Sequence, residues 1–480
     1  MMDWLHQLAD FLAQEPAWIA GAIFFIAMAE SLVVVGLILP GVVMLSAITA
    51  LAAKAGIPLG EALMWAAAGA IVGDALSYWL GRILGYRIHG LWPFSRHPEL
   101  LTRGEHFFRD HGGKSVVIGR FIGPLRPIIP VVAGAFGMSQ RRFFTFNVVS
   151  ALGWAPVYII PGYAVGSALS RDVNFPPELL PVLAVSLLVL VAMYTLFFRF
   201  HWEMDRDSQF YSRLQRLMSR HPAGRHLWLA LSNQRPGGRE FPLASLALGV
   251  ASTALVVLWS LFVAVSKTLR EADFYASELF QAVRQPMLDP LFQGVSMAAD
   301  LPALVPAFAL LVLLLAFRGY YAAALHVTIA GLLALVTTEG LKILLAVPRP
   351  ELTLLAPESF AYPSGHTVGI TVLVGLIASL IAAELPHRKR WRVYTALTAP
   401  VIVVAFSRLY LGVHWFSDIV GGLLIGMAIC GLTRAGFSRY DRQPIQPEWT
   451  TYLALAGWLI LTLVVIWLRW DLATLRYTPL

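Results

Sequence analysis

In the stretch KILLAVPRPELTLLAPESFAYPSGHTVGITVLVGLIASLIAAELPHRKRWRVYTALTAPVIVVAFSRLYLGVHWFSD, residues 342–418, apolar runs long enough to cross a membrane alternate with three short polar clusters. The first cluster is Lys342 with Arg349-Pro350. The second is Pro363-Ser364-Gly365-His366. The third is Ser407-Arg408, His414 and Asp418. Each sits at the end of an apolar run. A membrane-buried helical core with its chemistry gathered at one set of span ends is the architecture this order predicts.

The clusters supply three cations, two imidazoles, one carboxylate, two serine hydroxyls and a glycine backbone. That inventory suits phosphoryl transfer without a metal: cations neutralise the non-bridging oxygens, one imidazole attacks phosphorus and the other protonates the leaving oxygen. His414 and Asp418 are four apart, so on a helix they share a face, and the carboxylate can orient the imidazole. Ser364-Gly365 after Pro363 can open a helix whose N–H groups point at an anion. Arg349 offers a planar fork for two oxygens and Lys342 a point charge. Singly, each piece has a commoner structural use: His-x-x-x-Asp as a local hydrogen bond, Arg-Pro as a loop start, Pro-Ser-Gly as a turn. Three of them in order within one stretch point to a site.

The whole chain has the composition of a polytopic membrane protein. Its 480 residues are 58% hydrophobic and 13% charged, with a mean hydropathy of +0.68, whereas soluble domains carry about 25% charged residues. The net charge of +8 fits basic cytoplasmic loops and does not call for nucleic acid. The lone Cys430 lies in an apolar run and reads as an inert thiol. Residues 1–15 hold no Lys or Arg, so the basic n-region of a signal peptide is not expected in them.

The three clusters resemble the signature of the type-2 phosphatidic acid phosphatase family, the lipid phosphate phosphatases, over roughly residues 242–433. The resemblance implies that His414 is a nucleophile that becomes phosphohistidine, that Asp418 orients it and that His366 is the general acid. It also implies that Lys342, Arg349, Ser364, Gly365 and Arg408 bind phosphate. No metal or other cofactor is expected. Vanadate haloperoxidases share the constellation but are mainly soluble. A lipid phosphotransferase and a non-catalytic transporter or scaffold are further alternatives.

The first 200 residues have a different texture. Residues 1–15 form an amphipathic stretch with Trp4, Leu5, Leu8 and Phe11 at helical spacing. Residues 16–53 are apolar almost throughout, bend at Pro40-Gly41 and contain Glu30. A span at about 58–80 holds Asp74. After the basic loop 81–114, a broken apolar segment, Val116 to Met138, carries Arg120 and Arg126, and spans follow at about 143–168 and 177–199. A broken hairpin before a span, repeated, is a transporter device, and ionisable groups in such segments are costly unless functional.

This half resembles the DedA family. Glu30 precedes Leu39-Pro40-Gly41, and Gly73-Asp74 stands with Tyr78, Gly81 and Arg82. Arg120-Phe121, Arg126, Ala133-Gly134, Met138, Asn147, Gly153-Trp154 and Gly162-Tyr163-x-x-Gly166 follow in order. The resemblance implies proton-coupled lipid translocation, with undecaprenyl phosphate as cargo and Glu30, Asp74, Arg120 and Arg126 as the functional charges.

The expected fold is therefore an all-α polytopic membrane protein, a DedA-like inverted repeat with re-entrant hairpins followed by a six-span phosphatase core and one extra C-terminal span. The expected division is 1–200, an arginine-rich cytoplasmic linker at 201–241 read as a surface helix, 242–433, and 434–480 as a cytoplasmic loop plus the extra helix. Four Lys/Arg within His387–Arg392, with Arg434, Arg439 and Arg442 two spans later, mark one end as cytoplasmic. The three clusters then face the outside of a bacterial inner membrane. The function expected is hydrolysis of undecaprenyl pyrophosphate with return of the monophosphate, in lipid-carrier recycling. Phosphatidic acid and phosphatidylglycerophosphate fit the motifs equally.

Overall fold

Nineteen α-helices and two short 3-10 turns make up the described part of the computed structural model, and among the described residues there is no β-strand, only the isolated bridge of Thr353 with Pro479. Described are residues 16–37, 39–90, 92, 94–123, 125–170, 184, 186, 188, 190, 191, 209–235, 240–355 and 358–480. The amphipathic stretch 1–15 and nearly all of the span expected at 177–199 lie outside them. The chain divides after Val173 into two units.

The first unit contains α1 (Pro16–Ser31), α2 (Gly41–Lys54), α3 (Leu59–Leu84), α4 (Pro98–His111), α5 (Lys114–Arg120), α6 (Ile128–Ala135) and α7 (Gln140–Ser170). A helix needs about 20 residues to cross a bilayer. By that measure α3 and α7 are long enough, with 26 and 31 residues. The pairs α1/α2 and α5/α6 are not, with 16 and 14 residues, then seven and eight. One plan thus occurs twice: short helix, break, short helix, long helix. Close approach holds it together. A side chain at Gly73 would collide with the Met28 carbonyl, binding α3 to α1, and one at Gly166 would collide with Ala50, binding α7 to α2. Small residues at crossings are how apolar helices gain van der Waals contact where water offers no hydrophobic drive.

The second unit contains α8 (Gln209–Ser219), α9 (Pro222–Leu231), α10 (Leu243–Val265), α11 (Lys267–Ala282), α12 (Asp289–Met297), α13 (Leu301–Phe317), α14 (Tyr321–Leu345), α15 (Gly365–Ala383), α16 (His387–Tyr410), α17 (Phe416–Ser438), α18 (Trp449–Leu468) and α19 (Trp470–Tyr477). Of the eight described helices long and apolar enough to cross a membrane, six are here: α10, α14, α15, α16, α17 and α18. The run expected at 301–317 is only 17 residues as α13. It reaches spanning length by joining α12 across a 45° bend.

Helix α17 is the axis of this unit. The apolar stretch of α17 is 72% buried and that of α18 only 6%, so the first is surrounded by neighbours and the second lies at the rim. Gly431 of α17 lies against Gly249 of α10, where a side chain would strike backbone. The linker residues described form a docked pair rather than one surface helix: Tyr211, Trp228 and Phe241 make a small core between α8 and α9. Arg235 bridges Glu384 at 2.7 Å and Asp441 at 2.8 Å, beyond the ends of α15 and α17.

Candidate active site in the second unit and ion-pair centre in the first

The end of the bundle opposite Arg235 carries the polar clusters. Lys342 is in the last turn of α14, Ser364 precedes α15, Arg408 is in the last turn of α16, and Asp418 is in the first turn of α17. Four helix ends converge, so residues far apart in sequence meet. Lys342, Arg349, Gly365, His366, Arg408 and His414 all line one cavity of about 680 Å³. Ser364 is fully buried, its hydroxyl accepts from Thr367 at 3.0 Å, and it does not line the cavity.

His414 occupies the turn between α16 and α17. Its Nδ1 lies 3.0 Å from Asp418 Oδ2, and its Nε2 lies 3.2 Å from Arg349 Nη1. A guanidinium only donates, so Nε2 accepts and Nδ1–H donates: the imidazole is neutral, with its lone pair on Nε2. Burial, followed by the positive field of Arg349, Arg408, His366 and Lys342, holds its pKa well below the ordinary 6.5. The same Asp418 oxygen accepts from the Trp415 backbone N–H at 2.9 Å, while Oδ1 has no partner among the described residues.

The cations are fixed differently. Arg349 Nε and Nη2 donate to the Ser359 carbonyl and hydroxyl at 2.7 and 3.0 Å, and Nη1 donates to the Val413 carbonyl at 2.7 Å. It therefore ties its own loop to the turn that bears His414. Burial and the neighbouring Arg408 pull its pKa down to about 10, which leaves it charged. Arg408 is almost wholly buried and donates to Ser296 Oγ and, at 2.9 Å, to Tyr477 Oη, while its Nε has no partner among the described residues. Lys342 Nζ pairs with Glu339 at 2.8 Å.

Several residues of this site were not legible from motif spacing. Asp300 accepts from His366 Nε2. In sequence Asp300-Leu301-Pro302 looks like a helix cap, and Asp300 does precede α13, yet its side chain makes no cap bond. Asp273 of α11 accepts from the Ser417 backbone N–H at 2.8 Å and hydroxyl at 2.6 Å, pinning the start of α17, and burial pushes its carboxyl up to about 6. Glu339 is three residues from Lys342, a spacing that signals a helical pair. The cavity's other wall is apolar, with Leu304, Val305 and Phe308 of α13 facing Val327, Leu332 and Leu335 of α14.

In the first unit the four expected charges form two buried pairs, Asp74 with Arg120 and Glu30 with Arg126. Arg120 also donates to Asn147 Oδ1 at 2.7 Å, and Asn147 Nδ2 donates to the Ile71 carbonyl at 3.0 Å. The Arg126 guanidinium lies over Trp154, 4.4 Å from its centroid. Gly41 is required beside this pair, because a Cβ there would overlap the Glu30 side chain. Arg126 Nε and Nη2, Arg120 Nη1 and Glu30 Oε2 have no partner among the described residues.

These features have counterparts in known proteins. The VTT domain family matches residues 32–164 and the PAP2 superfamily matches residues 321–442. Inner membrane protein YabI of Escherichia coli (strain K12) is 32% identical over 254 residues, 52% of this chain and 91% of that protein. Protein DedA of the same strain is 32% identical over 187 residues, 84% of its length. The chain belongs to the DedA family and carries a PAP2 superfamily domain fused behind it. Among solved structures, the crystal structure of the first transmembrane PAP2 type phosphatidylglycerolphosphate phosphatase from Bacillus subtilis aligns over 39% of this chain and 94% of its own, at 23% identity and a TM-score of 0.36. In this DedA–PAP2 fusion Asp74, Arg120 and Arg126 fall within the VTT match, and Lys342, Arg349, His366, Arg408 and His414 fall within the PAP2 match.

Proposed function

We propose that the PAP2 part is a lipid phosphatase working through a phosphohistidine on His414, in the inner membrane of a bacterium, with its site at the outer face. The observation that carries this is His414 itself: a neutral imidazole held between Asp418 and Arg349, in a cavity cationic on one side and apolar on the other. The apolar wall suits a lipid tail and the cations suit its phosphate. His414 Nε2 forms an N–P bond as the bond from phosphorus to the leaving oxygen breaks. His366, its Nε2–H held by Asp300, is the general acid: as the imidazolium it gives its Nδ1 proton to the leaving oxygen. Water then displaces phosphate from His414, with His366 taking up the water's proton. Lys342, Arg349 and Arg408 meet the charge on the non-bridging oxygens.

The substrate proposed is undecaprenyl pyrophosphate. For the DedA part we propose inward return of undecaprenyl phosphate, with Arg120 and Arg126 taking the phosphate and proton uptake on Asp74 or Glu30 releasing them. The test is phosphate release by the purified full chain from undecaprenyl diphosphate, phosphatidic acid and phosphatidylglycerophosphate, with EDTA present, alongside His414→Ala. Turnover unaffected by EDTA and fastest on the diphosphate is expected, with His414→Ala reduced by several orders of magnitude. Near wild-type turnover in His414→Ala would refute the nucleophile. Turnover lost in EDTA and restored by magnesium would refute the purely cationic mechanism.

A further inference from the structure

The PAP2 match ends at residue 442, yet the cavity does not. Arg469 and Arg476, at either end of α19, line it together with Lys342, Arg349 and Arg408. Helix α19 is fastened on several sides. Tyr477 Oη meets Arg408 at 2.9 Å and Ser296 at 3.1 Å, and the Tyr477 carbonyl accepts from Arg284 at 2.6 Å. Just beyond, Leu354 N–H donates to the Thr478 carbonyl and Leu480 N–H to the Leu352 carbonyl, both at 3.1 Å, which joins the chain end to the loop bearing Arg349. The helix that carries the two arginines is therefore fixed at the cavity. Arg469 Nη1 stands 3.9 Å from Asp300 Oδ2, beyond hydrogen-bond range, and Arg476 has no hydrogen-bond or ion-pair partner among the described residues.

Charge and position together say what they are for. Five cations line the cavity against the carboxylates of Asp300 and Glu339, a surplus of three. A phosphate monoester carries at most two negative charges, and a diphosphate monoester three. Asp300 is the partner of His366, so Arg469 stands on the side where the leaving oxygen takes its proton. When a monophosphate is cleaved the leaving group is a neutral alcohol that needs no cation. When a diphosphate is cleaved the leaving group is itself a phosphate.

We propose that α19 completes the site, Arg469 and Arg476 binding the inner, non-reacting phosphate of a lipid diphosphate. This rests on the phosphatase reading of the same cavity. His414 forms its bond to the outer phosphorus, the outer phosphorus–bridging oxygen bond breaks, and the electron pair stays on the bridging oxygen of the departing lipid monophosphate. His366 protonates that oxygen, and the two arginines hold the remaining charge.

The experiment uses the purified full chain with farnesyl diphosphate and farnesyl monophosphate as soluble probes. For each of wild type, Arg476→Ala, Arg476→Lys and Arg469→Gln, the ratio of kcat/KM on diphosphate to that on monophosphate is measured. The ratio should fall about tenfold or more in Arg476→Ala and Arg469→Gln, the size of one lost charge-assisted hydrogen bond, and should largely recover in Arg476→Lys. An unchanged ratio in both charge-removing variants overturns the inference, whatever happens to the separate rates. So does a wild type that cleaves only the monophosphate, which leaves the phosphatase reading standing. Release from neither probe overturns the phosphatase reading and this inference with it. Arg476 has no partner to lose, so the melting temperature of Arg476→Ala should match wild type.

Discussion

Replacing Asp418 by asparagine tests how His414 is prepared. Both donors that meet Asp418, His414 Nδ1–H and the Trp415 N–H, meet the same oxygen, and the other oxygen has no partner among the described residues. The asparagine carbonyl can therefore take the place of Oδ2 and accept both bonds, while its NH2 falls where nothing accepts it. The imidazole keeps its tautomer and loses only the carboxylate's charge. A hydrogen bond to a charged group contributes about 1.5–3 kcal/mol, so the chemical step should slow by about 10–150-fold. That is well short of His414→Ala. The stranded NH2 should also lower the melting temperature, at a cost of about 1–3 kcal/mol. The assay is single-turnover phosphate release by rapid quench, with the phosphoenzyme burst counting active sites so that unfolding is not scored as slow chemistry. His414 lies well below 6.5, so its neutral form persists as pH falls through 6.5 and is lost only at lower pH. The comparison therefore holds at pH 7 without correction for its protonation. Equal losses in Asp418→Asn and His414→Ala, or a wild-type rate in Asp418→Asn, would show that Asp418 does not act by orienting the imidazole.

Two further outcomes follow from the same geometry. Arg349→Lys keeps the charge but not the fork that joins Ser359, Val413 and His414; kcat/KM should fall about 5–150-fold, the equivalent of about 1–3 kcal/mol, and an unchanged value would make Arg349 a helix-end charge only. In the DedA part a single Arg126→Ala would strand the buried Glu30, at about 3–5 kcal/mol, so the informative variant is Glu30→Gln with Arg126→Gln. It should accumulate normally, lose lipid translocation in proteoliposomes and keep phosphate release in detergent; normal translocation would refute the pathway, and low abundance would make the pair structural.

Local sequence determined the class and much of the PAP2 site. Runs of apolar residues near 20 long specify crossing helices whatever their neighbours, and His414 with Asp418 meet within one turn because helical spacing requires it. The basic run at 387–392 and the clusters at 342–418 fall at opposite ends because helices α15 and α16 run between them. The rest waited on tertiary structure, because it joins residues that no periodicity relates. Asp300 reaches His366 across 66 positions, Asp273 reaches Ser417 across 144, and Tyr477 reaches Arg408 across 69. In sequence those three are a helix cap, a helix-face acid and a chain-end aromatic. Glu30 and Asp74 could each have paired with either arginine. In the fold Arg120 lies against Asp74 and Asn147, and Arg126 against Glu30 and Trp154, a pairing set by helix packing that side-chain chemistry alone does not encode.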